Sequence, residues 1–212
     1  MPVEGSQYPV NLILDGRPCL VVGGGGVARR KVEGLLACKA LVTVVTVRAE
    51  PGLVALADAG QVVLERRPYR RGEVAGYRLA IAATDDFAVN RAVYEDGEAA
   101  SVWVNAADEP SSCSFTLPSV VRRGPIMVTV ATGGHSPAMA AWLRRHVENE
   151  LGEEYVVLLQ LLSEERTLLK AAGRSTEGLD WLSALDSNML ELIRAGQVGK
   201  ARERLQACLS SS

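Results

Sequence analysis

Five short apolar runs divide the first hundred residues of the chain and alternate with amphipathic segments. They lie at residues 19–22, 41–47, 61–64, 79–83 and 101–104. Nearly continuous apolar runs are typical of strands in a parallel sheet that is covered on both faces. Strand–helix alternation at this spacing predicts right-handed β-α-β units in a doubly wound α/β sheet.

Helices are predicted between these runs. After the first run, apolar residues recur at the spacing of one helical face: Ala28, Val32, Leu35 and Leu36. A second helix is predicted over residues 86–98, because acidic residues after Thr84 supply an N-cap. Trp103, which lies in the fifth run, is most simply interpreted as a core residue.

Four glycines join the first predicted strand to the first predicted helix. Gly23, Gly25 and Ala28 match the pattern Gly-x-Gly-x-x-Ala. The first glycine permits a tight turn, the second lets the backbone approach a pyrophosphate, and the small third residue lets helix and strand pack closely. The phosphates would bind the N–H groups that begin the helix. We therefore interpret the loop as the dinucleotide site of a Rossmann-type domain rather than as a flexible turn.

The residues after the second run leave the choice between NAD and NADP open. An acidic residue that binds the ribose usually follows this strand. Thr46, Val47 and Arg48 stand there instead, and Glu50 comes slightly late. Arg48 could neutralise the 2′-phosphate of NADP, or it could be an exposed loop charge.

Composition excludes several classes of protein. The 212-residue chain carries 23 Lys and Arg against 25 Asp and Glu, a net charge of −2, whereas nucleic-acid-binding proteins show a basic excess. No apolar stretch is long enough to span a membrane, and the first residues do not resemble a secretory signal. The four cysteines are widely spaced, as is typical of reduced thiols. We expect a cytoplasmic protein without nucleic-acid or membrane partners.

The pattern changes after residue 108. Two strands are predicted at residues 114–117 and 126–131. A pair of glycines then leads into a helix, for which Ser136 is the predicted N-cap and Pro137 the first residue. The rest of the chain shows apolar stripes at helical spacing, and we predict that it is helical.

The motifs that carry chemistry resemble those of one known family. In chain order they are Tyr8-Pro9, Val21-Val22-Gly23-Gly24-Gly25 with Val27-Ala28-Arg29-Arg30-Lys31, Ile81-Ala82-Ala83-Thr84-Asp85-Asp86 with Asn90, Val104-Asn105-Ala106-Ala107-Asp108, Phe115-Thr116-Leu117-Pro118, Arg123-Gly124-Pro125 and Thr132-Gly133-Gly134-His135-Ser136-Pro137. Over residues 8–150 they resemble the precorrin-2 dehydrogenase / sirohydrochlorin ferrochelatase family of siroheme biosynthesis.

The resemblance implies a three-part chain that forms a homodimer. An α/β Rossmann-type NAD-binding domain over residues 1–112 would be followed by a small α+β dimerisation region over 113–150 and a helical C-terminal domain over 151–212. The implied activity is NAD-dependent oxidation of the tetrapyrrole precorrin-2 to sirohydrochlorin. In bifunctional members ferrous iron is then inserted, and cobalt is an alternative. The metal is a substrate in that reaction, and no resident metal site is predicted.

The resemblance and the predicted strand ends together nominate the site residues. Asp108 is the implied general base for dehydrogenation, and in turn for chelation; the alternative is a loop carboxylate that caps a turn before Pro110. The predicted cofactor-binding residues are Gly23, Gly25, Gly26, Val27, Ala28, Val47, Arg48, Thr84 and Asp85. The predicted substrate-binding residues are Asn105, Thr132, Gly133, Gly134 and Ser136.

Other polar residues are weaker candidates. Some arginines could bind the carboxylates of a tetrapyrrole, or could be solvated surface charges: Arg122, Arg123, Arg144 and Arg145. His135 could contact a metal or a propionate, but it lacks further ligands nearby in the sequence, which favours a surface residue. Cys113 is interpreted as a small buried apolar residue rather than a nucleophile.

Two other functions remain open. One is a chelatase-dominant protein with a vestigial nucleotide site. The other is a non-catalytic NAD-sensing module, which gives no role to Asp108 or to the Gly-Gly-x-Ser-Pro motif. The helical tail could cover the tetrapyrrole like a lid, or it could be a packed appendage that supports the dimer.

Overall fold

The computed structural model describes residues 6–107 and 109–210. The described residues form two compact units. The first contains the chain as far as Leu117 together with Gly133–His135, and the second contains Pro118–Thr132 and the chain from Ser136 onward. The three-part division predicted at residues 112 and 150 stays a prediction.

The first unit is built from alternating strands and helices. In chain order they are β1 (Pro18–Val22), α1 (Gly26–Leu36), β2 (Leu41–Thr46), α2 (Pro51–Asp58), β3 (Val62–Arg66), β4 (Leu79–Ala82), α3 (Phe87–Ala100) and β5 (Trp103–Ala106). The strands form one parallel sheet in the order β3-β2-β1-β4-β5. This is the strand order of a Rossmann sheet, so the α/β prediction is confirmed.

The strand register sets the carboxyl edge of this sheet. Val22 at the end of β1 pairs with Val45 of β2 on one side and with Ala82 of β4 on the other. Ala82 in turn pairs with Ala106 at the end of β5. The loops that follow β1, β2, β4 and β5 therefore start from one edge, which is where ligands bind in open α/β sheets.

Apolar side chains cover both faces of the sheet. On one face Ala28, Val32 and Leu35 of α1 are buried, as the helical stripe predicts. On the other face Val93 of α3 is buried in the same cluster as Val22. Complete burial of a side chain such as Val32 or Val93 contributes about 1.5–3 kcal/mol, so both helices are held firmly against the strands.

Trp103 is not a core residue, and that prediction is wrong. Its side chain is 47% exposed. It opens β5, which is the last strand in the sheet order, and an edge strand has a neighbour on one side only. The next residues along β5, Val104 and Asn105, are buried.

The second unit combines a hairpin with helices. Its elements are β6 (Ser119–Arg123), β7 (Ile126–Val130), α4 (Pro137–Glu150), α5 (Glu153–Ala171), α6 (Trp181–Asp186), α7 (Met189–Arg194) and α8 (Val198–Ser210). β6 and β7 pair in antiparallel fashion, and α4 packs against both strands. The Ser136 hydroxyl accepts a hydrogen bond from the Met139 N–H at 3.1 Å, which confirms the predicted N-cap.

The strand predicted at residues 114–117 is wrong, because the first strand of the hairpin is β6. Residues 114–117 instead run beside β5 without forming a strand. The Ser114 N–H donates to the Val104 carbonyl at 2.8 Å, and Cys113 makes a single antiparallel bridge to Asn105. Pro118 follows, and its missing N–H cannot extend such pairing.

The helices after α4 share one core, which confirms the helical tail. Leu158 and Leu161 of α5 are buried together with Met189 of α7 and Leu205 of α8. In the chain's described part no helix is long and apolar enough to cross a membrane.

Candidate functional site

Gly23 makes the turn between β1 and α1. Its φ angle is 129°, in the region that favours glycine. A Cβ at this position would collide with the carbonyl oxygen of Ala83. The Gly23 N–H donates to the Val45 carbonyl at 3.0 Å. The first glycine of the motif is thus enclosed by the ends of β2 and β4, as a tight turn requires.

Gly24 is enclosed as well, although the motif leaves its position free. A Cβ on Gly24 would collide with the carbonyl oxygen of Arg48 and would lie 2.5 Å from the Thr46 hydroxyl oxygen. The Gly24 carbonyl accepts a hydrogen bond from the Glu50 N–H at 2.8 Å. Because these contacts join two separate loops, the sequence prediction did not include Gly24.

Gly25, in contrast, faces open space. No described atom lies within 4 Å of the place that a Cβ would take. Gly25 is also the N-cap of α1, and it has no side chain that could bind the first N–H groups of the helix. Those N–H groups are the ones that bind phosphate at a helix start. Ala28 is fully buried. The loop therefore has the shape and the donors that a pyrophosphate needs, and a nucleotide cofactor fits it.

Glu50 brings a carboxylate to this helix start. Its Oε2 atom lies 3.5 Å from the position of a Cβ on Gly26. Its Oε1 atom pairs with Arg29 Nε at 2.5 Å, and Arg29 also binds Glu33 at 2.6 Å. The hydrogen bonds to Glu33 and Glu50 raise the pKa of the Arg29 guanidinium. Glu50 was noted in the sequence as a late acid but was not among the predicted site residues.

The other predicted residues after β2 lie on the surface. Val47 is 72% exposed, and Arg48 is exposed too. The turn that carries them is fixed by Thr46, whose hydroxyl donates to the Arg48 carbonyl at 2.9 Å. A cofactor contact by Val47 or Arg48 stays a prediction.

Thr84 and Asp85 follow β4 at the same edge. The Ala83 N–H donates to the Val22 carbonyl at 2.7 Å and so ties this loop to the end of β1. Asp85 is exposed, whereas Asp86 caps α3 by accepting from the Ala88 N–H at 2.9 Å. Of the two aspartates, Asp86 has the capping role and Asp85 projects from the loop.

Asn105, in β5, is held by a hydrogen bond to the chain that follows this strand. The Asn105 side chain is buried, and its Nδ2 atom donates to the Phe115 carbonyl at 2.9 Å. The Ala107 N–H donates to the Ala82 carbonyl at 2.8 Å, which continues the sheet past β5. Asp108, the predicted base, lies outside the described residues. A substrate contact by Asn105 stays a prediction.

Cys113 sits in this loop as a thiol. Its Sγ atom donates to the carbonyl oxygens of Ala106 and Glu109, at 3.3 and 3.4 Å. Burial raises the pKa of Cys113. Because the thiolate is the reactive form, these surroundings favour the predicted inert residue.

The predicted substrate-binding residues of the second motif surround the start of α4. The Thr132 hydroxyl donates to the Ser136 carbonyl at 3.1 Å and accepts from its N–H at 3.3 Å. Gly133 and Gly134 have φ angles of 58° and 77°. Both angles favour glycine, so the two glycines and the Thr132 hydroxyl together shape this turn.

Two of the candidate arginines are engaged locally. Arg123 Nε donates to the Leu151 carbonyl at 3.0 Å, and Arg144 pairs with Glu148 at 2.6 Å. Arg145 is exposed on α4. Across residues 6–107 and 109–210, no group of three or more His, Cys, Asp or Glu residues could hold a metal ion.

Comparisons with known proteins bear on this site. Residues 10–119 match a family model described as "Putative NAD(P)-binding". The siroheme synthase of Nitrosococcus oceani is 38% identical over 206 residues, which cover 96% of this chain and 44% of the relative. The siroheme synthase of Escherichia coli O139:H28 is 43% identical over 145 residues, which cover 68% of this chain and 32% of the relative.

A solved structure is similar along nearly the whole chain. The protein "SirC, precorrin-2 dehydrogenase" superposes with a TM-score of 0.69 at 27% identity, covering 95% of this chain and 98% of that one. The siroheme synthases are longer, and the chain spans less than half of their length.

Proposed function

Because the chain belongs to the family described as "Putative NAD(P)-binding" and is similar to siroheme synthases and to a precorrin-2 dehydrogenase, we propose that it oxidises precorrin-2 to sirohydrochlorin with NAD. The observation that carries this proposal is the glycine loop. Gly23 and Gly24 are enclosed by neighbouring loops, whereas Gly25 leaves the helix start open to a pyrophosphate. Bound NAD would supply the hydride acceptor of the oxidation.

In this proposal the residues of the loop after β4 border the reacting end of the cofactor. Thr84 and Asp85 follow β4 at the carboxyl edge, next to the end of β1 that carries the glycine loop. In this proposal Asp85 faces the crevice, while Asp86 serves as the cap of α3.

A proton must leave the tetrapyrrole together with the hydride. We assign its acceptance to Asp108, the carboxylate that the family motif nominates. Support comes from the neighbouring residue, since the Ala107 N–H binds the Ala82 carbonyl and so brings the chain to the carboxyl edge next to β4. A general base must come within about 3 Å of the proton that it takes, directly or through one water.

The substrate is an anionic tetrapyrrole, and we propose that the glycine-rich turn before α4 binds its carboxylates. Thr132, Gly133, Gly134 and Ser136 would do so through hydroxyl and backbone N–H groups. Asn105 would complete the set of substrate contacts. Arg145 is the exposed guanidinium of α4 that is available for an ion pair.

We also propose that the protein works as a homodimer in the cytoplasm. Met139 and Trp142 lie three residues apart on α4, so they share one helix face, and they are 54% and 56% exposed. An exposed apolar patch on a helix face is a surface that a partner can cover. The four cysteines are free thiols, in keeping with a reducing compartment. Ultracentrifugation tests the dimer, and the double variant M139E/W142E should sediment as a monomer.

A second activity, insertion of ferrous iron into sirohydrochlorin, is suggested by the similarity to siroheme synthases. In that reaction iron or cobalt is a substrate, and two pyrrole N–H protons leave as the metal enters. The same carboxylate, Asp108, would accept them in turn.

The test is a pair of assays on the purified protein. Precorrin-2 with NAD should generate NADH absorbance, and anaerobic Fe²⁺ with sirohydrochlorin should generate the siroheme spectrum. A protein that inserts metal but forms no NADH would be a chelatase-dominant enzyme. A protein that binds NADH but turns over neither substrate would be a nucleotide sensor, and the proposal would be wrong.

A further inference from the structure

We propose that Glu50 binds the adenosine ribose of the cofactor and makes the site select NAD over NADP. The inference rests on the proposed function, in which the glycine loop holds a dinucleotide. In Rossmann folds a carboxylate near the end of the second strand accepts hydrogen bonds from the ribose hydroxyls. Here β2 ends at Thr46, and the residues that directly follow it are not acidic.

The turn after β2 carries Glu50 back to the glycine loop. The Thr46 hydroxyl binds the Arg48 carbonyl at 2.9 Å and closes the turn. The Glu50 N–H then binds the Gly24 carbonyl at 2.8 Å. As a result the Glu50 carboxylate lies beside Gly26, the first residue of α1.

The Glu50 side chain is not needed to begin its own helix. Glu50 is the N-cap residue of α2, but its carboxylate makes no capping hydrogen bond. The side chain is 27% exposed, so a ligand can reach it from solvent. A carboxylate that leaves the nearest N–H groups of its helix and turns toward the glycine loop is available to a ribose.

Local charge favours a hydroxyl over a phosphate at this place. Arg29 contacts both Glu33 and Glu50, so one guanidinium faces two carboxylates and the group carries a net charge of about −1. A 2′-phosphate brings further negative charge, whereas a ribose hydroxyl donates a hydrogen bond to the carboxylate. Arg29 is the positioning residue in this arrangement. Arg48 is a cation that could instead bind the 2′-phosphate of NADP, and in that case the protein would prefer NADP.

The experiment measures the dissociation constants of NADH and NADPH by cofactor fluorescence, so it needs no tetrapyrrole. The variants are E50Q and, as the matched control, D58N. Asp58 is an exposed carboxylate at the other end of α2, about 12 Å farther along the helix axis. Circular dichroism checks that both variants are folded.

We expect wild type to prefer NADH. E50Q should weaken NADH binding and reduce the NADH-over-NADPH preference by about tenfold or more, because it removes a charge-assisted hydrogen bond. D58N should leave that ratio within about twofold, since an exposed charge one Debye length away is largely screened.

The remaining outcomes separate the two proposals. A wild-type protein that binds NADH, with an unchanged ratio in E50Q, overturns the role of Glu50 and leaves the proposed function standing. If the wild-type protein prefers NADPH, the role of Glu50 is overturned, and Arg48 is the residue that selects the cofactor. Failure of the wild-type protein to bind either nucleotide contradicts the proposed function itself, and the inference with it.

Discussion

The buried side chain of Asn90 encircles Thr84 with three hydrogen bonds. Asn90 Oδ1 accepts from the Thr84 N–H at 3.2 Å and from its hydroxyl at 2.8 Å, and Asn90 Nδ2 donates to the Thr84 carbonyl at 3.0 Å. Asn90 is only 2% exposed. A residue on α3 thereby fixes the backbone of the loop that follows β4, which the proposed function assigns to the nicotinamide end of the cofactor.

Replacing Asn90 by Ala should destabilise the protein and weaken the cofactor site. The change leaves the Thr84 N–H and carbonyl groups without their partner, which costs about 1–3 kcal/mol of unfolding free energy. Urea denaturation measures this loss, and an NADH titration should show weaker binding. The exposed Asn149 on α4 supplies the control, because N149A should stay within about 0.5 kcal/mol. An N90A protein as stable as wild type would contradict the structural role.

Alanine at Gly24 and alanine at Gly25 should have opposite effects. G24A forces a methyl group against the Arg48 carbonyl, so it should lower the unfolding free energy by about 1–3 kcal/mol. G25A points into open space and should change stability by no more than about 1 kcal/mol. The G25A methyl group would occupy the approach to the pyrophosphate, so NADH binding should fall at least tenfold. If G25A bound NADH normally, the phosphate would have to bind elsewhere.

Asp108→Asn should abolish turnover without abolishing cofactor binding. The amide cannot accept a proton, and removal of a general base costs about 10²–10⁴ in rate. Stopped-flow measurement of NADH formation gives kcat, and an NADH titration gives the affinity. D85N is the comparison. Asp85 is exposed, and in the proposed function it contacts the cofactor without taking the proton, so D85N should affect KM more than kcat. If both assays on D108N matched wild type, Asp108 would have no part in the mechanism.

Stability should fall at alkaline pH because of Cys19. Burial, with a smaller contribution from Cys38, raises the pKa of the Cys19 thiol from 9.0 to about 11. Between pH 9 and pH 11 the thiol ionises in the unfolded chain but stays protonated in the folded protein. The free energy of unfolding should therefore decrease there, by at most about 1.4 kcal/mol per pH unit.

Urea titrations across this pH range measure the slope. The variant C19A should reduce it, whatever the cost of its smaller side chain at neutral pH. Part of the slope above pH 10 should remain, because burial also raises the pKa of the Tyr69 hydroxyl. C208A should keep it, because Cys19 is still present. A wild-type slope that persists in C19A would have to come from other groups.

Local patterns were sufficient to predict much of the fold. The turn at Gly23, the buried stripe of α1 and the cap at Ser136 depend on residues that are close in sequence, so periodicity and spacing reveal them. Trp103 was misjudged because burial on a strand depends on its neighbours in the sheet. The strand expected at residues 114–117 failed for a related reason, since an apolar run does not show which edge is free to pair.

The site was predicted less completely, because it depends on contacts between loops that are far apart in the sequence. Position 24 must be glycine because the Arg48 carbonyl oxygen lies where a Cβ would be. Glu50 is held near the start of α1 by the hydrogen bond from its N–H to the Gly24 carbonyl. Neither contact can be recognised from the residues next to Gly24 or Glu50 in the sequence. Asn90 could be recognised in the sequence, because it belongs to the family motif that contains Thr84. Its buried hydrogen bonds to Thr84 could not be inferred from that spacing alone.

The shared register of Val22, Val45 and Ala82 limits how this chain can vary in length. Deleting one residue from β1 would retract the glycine turn by about 3.3 Å and would reverse which side chains face each helix layer. The same deletion in the surface turn at Gly60, where a Cβ would meet no described atom within 4 Å, would disturb neither relationship. Insertions and deletions among related chains should therefore gather in such turns and spare the stretch from Cys19 to Gly23.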